Sequence, residues 1–131
     1  MFDWRRPKNL GVTGGRFAPC RRTPNCVSSQ ADPADKEHYV APIAFKGSAA
    51  DAMAAVRKAV EAMPRTRIIS ADSHYLYAEF RTRLLRYVDD VEFHFDGNSI
   101  HVRSASRLGR RDFGVNRARV EKLRALITRS P

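Results

Sequence analysis

Residues 74–107 constrain this chain more than any other stretch. From His74 to Leu84 the residues alternate, with Leu76, Ala78, Phe80, Thr82 and Leu84 on one side and Tyr75, Tyr77, Glu79, Arg81 and Arg83 on the other. Arg86–Asp96 alternates again, and Ser99–Arg107 follows it. A period of two marks a strand with one face buried. Asp96-Gly97-Asn98, between the last two runs, signals a tight hairpin, because Gly and Asn tolerate positive φ. With Gly97 and Asn98 as the loop, Phe95 stands opposite Ile100, Phe93 opposite Val102, Val91 opposite Ser104 and Asp89 opposite Ser106. The core face then carries Tyr87, Asp89, Val91, Phe93 and Phe95 against Ile100, Val102, Ser104 and Ser106. The outer face carries Asp90, Glu92 and His94 against His101, Arg103 and Arg107. Shifting the loop to Asp96-Gly97 changes partners but leaves the faces intact.

The elements around this hairpin set the fold class. Ser48 with Asp51 makes a capping-box-like start to a helix over Ser48–Met63, with Met53, Val56, Val60 and Met63 on one stripe and Pro64 as the stop. Val115–Thr128 reads as a second helix with Val120, Leu123 and Ile127 on its apolar face. Arg67–Ala71 reads as a strand. Tyr39–Phe45 reads as another, confined to an edge by Pro42. Residues 1–38 hold Pro7, Pro19, Pro24, Pro33, Gly11, Gly14 and Gly15 without apolar periodicity, and read as an irregular N-terminal arm carrying the Cys pair. The expectation is an α+β fold: an antiparallel meander of three to five strands with two helices packed on one face, residues 39–131 forming a single domain.

Charge narrows the function classes. The net charge is +10, with 24 Lys+Arg against 14 Asp+Glu. The excess lies at the ends: six basic residues against one acidic in 1–30, and nine against two in 101–131. Nucleic acid and anionic partners follow from that sign. Base stacking has little support, since few aromatics, such as Trp4, Phe17 and Phe113, accompany the basic ends. No uncharged run approaches the roughly 18–20 residues of a spanning helix. The start, Met1-Phe2-Asp3-Trp4-Arg5-Arg6, lacks the apolar core of a secretory signal, which predicts a cytoplasmic protein, or an exported one if the chain is processed.

Asp89 is the residue that parity singles out. It points inward at the end where Phe gives way to Ser, and a buried carboxylate needs partners. The Ser104 and Ser106 hydroxyls, or an Arg from the following segment, can supply them. Such a group is either a structural polar cluster pinning the last helix to the sheet or a ligand or catalytic site. Arg103 faces Asp90 or Glu92, which predicts an exposed ion pair worth about 0–1 kcal/mol. Gly109 and Gly114 let the chain turn into the last helix, whose cap is Asp112 or Asn116, with Asn116 favoured. Arg103, Arg107 and Arg117 around that turn make an anion site, unless Asp89, Asp90 or Asp112 fills it from within. Cys20 and Cys26 read first as a disulfide or close thiol pair, then as inert buried thiols, and last as part of a metal site lacking ligands. No metal site or cofactor is expected. The sequence has no nucleophile elbow, zincin motif or phosphate loop.

Three stretches together carry a resemblance: Pro19-Cys20-Arg21-Arg22-Thr23-Pro24-Asn25-Cys26-Val27-Ser28-Ser29, then Val88-Asp89-Asp90-Val91-Glu92-Phe93, then the run from Val102 through Arg103-Ser104-Ala105-Ser106-Arg107-Leu108-Gly109 to Asp112-Phe113-Gly114-Val115-Asn116-Arg117. The chain resembles the bacterial and plastid family catalogued as domain of unknown function 1499, from about Gly15 to Ile127. The resemblance implies no reaction. It marks Asn25, Cys26, Ser28 and Ser29 as motif positions beside those of the later stretches.

The site expected from these readings is a polar cluster of Asp89, Asp90, Arg103, Ser104, Ser106, Arg107, Asp112, Asn116 and Arg117. The function expected is a non-enzymatic binding or accessory module for an anionic small molecule or protein partner. The alternative is an enzyme on a small anionic substrate, with Asp89 as base and Arg103, Arg107 and Arg117 as clamps. Nucleic-acid binding through the basic ends stands third. Arg5, Arg6, Arg110, Arg111, Arg119, Arg124 and Arg129 are left to make the surface basic.

Overall fold

The computed structural model describes residues 5–129. The Met1–Trp4 start, read above for a signal and for an aromatic, lies outside them. The elements run β1 (Cys26–Ser28), β2 (Ile43–Ala44), α1 (Ala49–Glu61), β3 (Thr66–Ala71), β4 (Tyr75–Arg81), β5 (Val88–Phe95), β6 (Ser99–Ser106) and α2 (Val115–Arg129). The protein is α+β, with one antiparallel sheet in the order β1-β6-β5-β4-β3 and β2 also paired to β6. The four long strands form the expected meander. The hairpin register is the one parity predicts: Asp89 opposite Ser106, Val91 opposite Ser104, Phe93 opposite Val102 and Phe95 opposite Ile100. Its turn closes with Asp96 N donating to Ser99 O, while the Asp96 carboxylate accepts from the Asn98 and Ser99 amides.

One face of the sheet is apolar and carries both helices. Leu76, Ala78 and Phe80 of β4, Val91, Phe93 and Phe95 of β5, and Ile100 and Val102 of β6 pack against Val56 and Val60 of α1 and Val120, Leu123 and Ile127 of α2. Ser48 caps α1, its hydroxyl accepting from Asp51 N at 3.0 Å. Met53 and Met63, expected in the buried stripe, sit at its margin, and Ala52, Ala55 and Ala59 fill the closest approach to the sheet.

Three sequence expectations change. The arm contains a regular piece, β1, which pairs with residues 103–105 of β6. The strand expected over Tyr39–Phe45 shrinks to Ile43–Ala44, because Pro42 has no N–H to add to a ladder. Strand β4 stops at Arg81, so Leu84, expected on the core face, is 89% exposed.

The largest change concerns the outer face. It was expected to meet solvent, but residues of the arm cover it. Gly11 N donates to Glu92 Oε2 at 2.7 Å, and Arg6 Nη2 bonds Glu79 Oε2 at 2.7 Å. Glu79, Asp90, Glu92 and Arg103 are all buried.

Candidate functional site

The predicted polar cluster is divided by the sheet into two. On the helix face, Asp89 Oδ2 receives Arg119 Nη2 at 2.7 Å. Arg119 Nη1 donates to Ser104 Oγ and to Asn116 Oδ1, and its guanidinium lies 5.0 Å from the Phe80 ring centroid. Asn116 is fully buried: its Oδ1 also accepts from Ser104 Oγ, and its Nδ2 donates to Ser106 Oγ, Asp112 Oδ2 and Asn25 O. Burial pushes the Asp89 carboxyl above its ordinary range, with Arg119 and Ser106 pulling the other way. Arg119, expected to be free on the surface, is the arginine that answers Asp89. The period-2 argument could place Asp89, but it could not choose among the arginines that follow.

On the outer face, Arg107 ties Asp90 to Glu79. Its Nε meets Asp90 Oδ2 at 2.9 Å, and its Nη2 reaches Asp90 Oδ1 at 2.8 Å and Glu79 Oε2 at 2.7 Å. The Tyr77 hydroxyl donates to Asp90, and the Tyr75 hydroxyl donates to Glu92 at 2.6 Å. Burial and these acceptors raise both phenols above their usual range. Burial likewise pushes Glu92 up. It pushes Glu79 up too, but Arg6 and Arg107 outweigh it and hold that carboxyl below its ordinary value. The expected exposed pair of Arg103 is a buried approach of 3.8 Å to Glu92 Oε1. Glu79, Tyr75 and Tyr77 were absent from the predicted cluster; two tyrosines and a glutamate on one strand face were the available signal.

Other expected roles move as well. Asp112, not Asn116, caps α2: its Oδ2 accepts from Asn116 N at 3.0 Å and its Oδ1 from Gly114 N at 2.9 Å. Asp112→Ala is expected to cost about 1–2 kcal/mol, since it removes a helix cap and a partner of Asn116. Denaturant unfolding measures this, and an unchanged midpoint would hand the cap back to Asn116. Arg117 does not join an anion site; it donates to the Tyr39, Lys36 and Glu37 carbonyls. Arg6 is on Glu79, and Arg124 donates to the Ala41 and Pro42 carbonyls, so neither is spare surface charge. Cys20 and Cys26 form a disulfide, with Cα atoms 5.6 Å apart. Asn25, beside it, donates to the Leu108 and Gly109 carbonyls and so joins the first motif to the last. Among the described residues, no group of three or more His, Cys, Asp or Glu is placed to hold a metal ion. None of the described helices is long and apolar enough to cross a membrane.

A cleft of about 440 Å³ opens where the β4–β5 loop meets the β6–α2 loop. Its polar lining includes Asp89, Ser106, Asp112, Arg83 and Arg111, and its apolar lining includes Leu84, Leu85, Leu108 and Phe113. The large apolar side chains left exposed among the described residues, Leu84, Leu85, Phe113 and Val115, all line it, with Phe113 93% exposed. Arg86 and Phe113, one in each loop, hold positive φ values of 54° and 53°. That conformation costs an L-residue about 1–2 kcal/mol. Arg83, Arg86, Arg110 and Arg111 are exposed on these loops and make no ion pair among the described residues.

The sequence profile of the family described as protein of unknown function (DUF1499) matches residues 16–127. The chain belongs to this family. No curated protein and no solved structure matches it. The DUF1499 match takes in the disulfide, both halves of the divided cluster and the two loops of the cleft. It leaves out Arg6 and Gly11, the arm residues that bond Glu79 and Glu92.

Proposed function

We propose that this protein is a binding module and that its site is the cleft between the β4–β5 and β6–α2 loops. The ligand is an anionic amphiphile, a molecule with an apolar body and a carboxylate or phosphate end. One observation carries the reading: among the described residues, the exposed large apolar side chains gather around a single cleft whose two loops also carry four arginines without carboxylate partners. Exposed apolar groups collected in one place mark an interaction site. A mainly apolar pocket of some hundreds of Å³ with few polar groups suits a small ligand. The arginines supply the complementary sign and forked donors for an acidic end.

The test is displacement of the fluorescent anion anilinonaphthalene sulfonate from the full chain by dodecanoate. Dodecanoate is expected to compete, and dodecanol to compete at least about tenfold more weakly, the worth of one charge-assisted contact. Leu84→Asp with Phe113→Asp is expected to abolish binding while leaving the unfolding midpoint within about 0.5 kcal/mol of wild type, since both side chains are exposed. Equal competition by the alcohol, or undiminished binding by the double variant, would overturn the proposal. So would retention on duplex DNA with a steep salt dependence and no uptake of dodecanoate.

The enzyme reading keeps one support. Asp89 lines the cleft, and its carboxyl is shifted toward the range of an acid–base group. Its supposed clamps are elsewhere: Arg103 and Arg107 serve the opposite face of the sheet, and Arg117 holds backbone carbonyls.

A further inference from the structure

A second, smaller pocket of about 70 Å³ lies on the outer face of the sheet, under the arm. Asn9, Arg21, Asn25, Asp90, Arg103 and Arg107 line it. Most of these side chains are committed. Arg107 holds Asp90 through Nε and Nη2, the Tyr77 hydroxyl also donates to Asp90, and Asn25 is spent on the Leu108 and Gly109 carbonyls.

Arg103 is different. It is only 7% exposed, and a guanidinium carries five N–H donors. It makes one direct hydrogen bond, from Nη2 to the Pro19 carbonyl at 3.3 Å. Its Nη1 lies 3.8 Å from Glu92 Oε1, beyond hydrogen-bond reach, and its Nε has no partner at all. Buried donors are almost always satisfied, and an exception in a native fold points to a bound water or ion. The neighbour across the gap compounds the deficit. Arg21 is exposed, forms no ion pair among the described residues, and acts on Arg103 as a like charge, against a stronger pull from Glu92 and Asp90 and beneath the larger effect of burial. Two guanidinium groups facing one small polar space is an arrangement that an anion relieves.

We infer that this pocket is a binding site for a small inorganic oxyanion, phosphate or sulfate, held between Arg103 and Arg21. The volume sets the size class: a water needs roughly 10–15 Å³ of such space, so the pocket admits a few waters or one such ion. The Cys20–Cys26 disulfide closes a short ring that contains Arg21 and Asn25, and Cys26 is itself on the wall. The ring therefore fixes the backbone of Arg21 at the wall of the pocket that Arg103 also lines. This site shares only Ser106 with the cleft, its arginines are different ones, and it does not rest on what the cleft binds.

The experiment is calorimetric titration of the full chain with sodium phosphate, against sodium chloride at matched ionic strength. Saturable binding of one phosphate is expected, with no heat of binding from chloride. Arg21→Ala is expected to weaken it at least about tenfold, the worth of one charge-assisted contact. Because Arg21 is exposed and makes no side-chain hydrogen bond or ion pair among the described residues, this variant stays folded where a change at Arg103 risks unfolding. Arg111→Ala, in the cleft lining, is expected to leave this phosphate site as in wild type, which separates it from the cleft. No phosphate heat, the same response to chloride, or an Arg21→Ala variant that binds unchanged would each show the pocket to hold only water.

Discussion

Arg119→Met is expected to remove about 3–5 kcal/mol of folding stability, the cost of stranding one member of a buried ion pair. Methionine replaces the apolar stem over Phe80 but leaves Asp89 Oδ2 without its 2.7 Å partner, and removes a donor from Ser104 Oγ and Asn116 Oδ1. The sign with pH follows from Asp89. Its folded carboxyl already sits above the ordinary value of 3.8, through burial first. A raised acid favours the fold when protonated, and that contribution fades as pH rises from the unfolded value through the folded one. Losing Arg119 raises it further, so the deficit of the variant grows from acid toward neutral pH. Asp89→Asn in the Arg119→Met background is expected to recover part of the loss at neutral pH. Denaturant unfolding of the cycle checks both. A loss of only about 1 kcal/mol, the worth of an exposed pair, would refute the buried pairing.

Arg107→Met is expected to cost a similar amount, about 3–5 kcal/mol, on the opposite face. Asp90 keeps the Tyr77 hydroxyl, and Glu79 keeps Arg6, but Arg6 is half-exposed and cannot replace a buried fork. Here the pH dependence is different. Glu79 sits below its ordinary value of 4.5 because Arg6 and Arg107 overcome its burial. A depressed carboxyl stabilises the fold above the unfolded value and loses that contribution as pH falls through the folded one. The Glu79 part of the wild-type advantage over Arg107→Met is therefore full above about 4.5 and shrinks below it. Unfolding midpoints measured from neutral to acid pH give the comparison. A gap that widened on acidification would remove Glu79 from the account.

These two arginines also show what the sequence could and could not convey. The faces of β5 and β6 were legible to the residue, because a strand repeats every two positions and the Gly97-Asn98 turn admits few registers. That parity placed Asp89 inside, opposite Ser106, and put Arg107 on the face of Asp90. It could not reach Arg119: a helix presents several arginines, and which one meets Asp89 depends on how α2 crosses the sheet. Nor could it bury Glu92. The cover over the outer face comes from a segment without periodicity, held by single contacts such as Gly11 N to Glu92. The alternating pattern also ran past the end of β4, so Leu84 was counted inside. Where the ladder stops at Arg81 the period no longer fixes direction, and the loop turns its leucines outward.

The way β1 and β2 lie along β6 has a consequence for how copies of this protein meet. A long strand with a free rim invites another chain to add to it. Strand β6 offers none: β1 takes residues 103–105 of its far side and β2 takes residues 99–100. Both covering strands are short, two or three residues, and one ends at a disulfide. At the other limit of the sheet, β3 is broken by a register shift between Ile68 and Ser70 and carries Arg67. Both boundaries are thus blunted against strand addition, and among the described residues the exposed large apolar side chains lie together at the cleft.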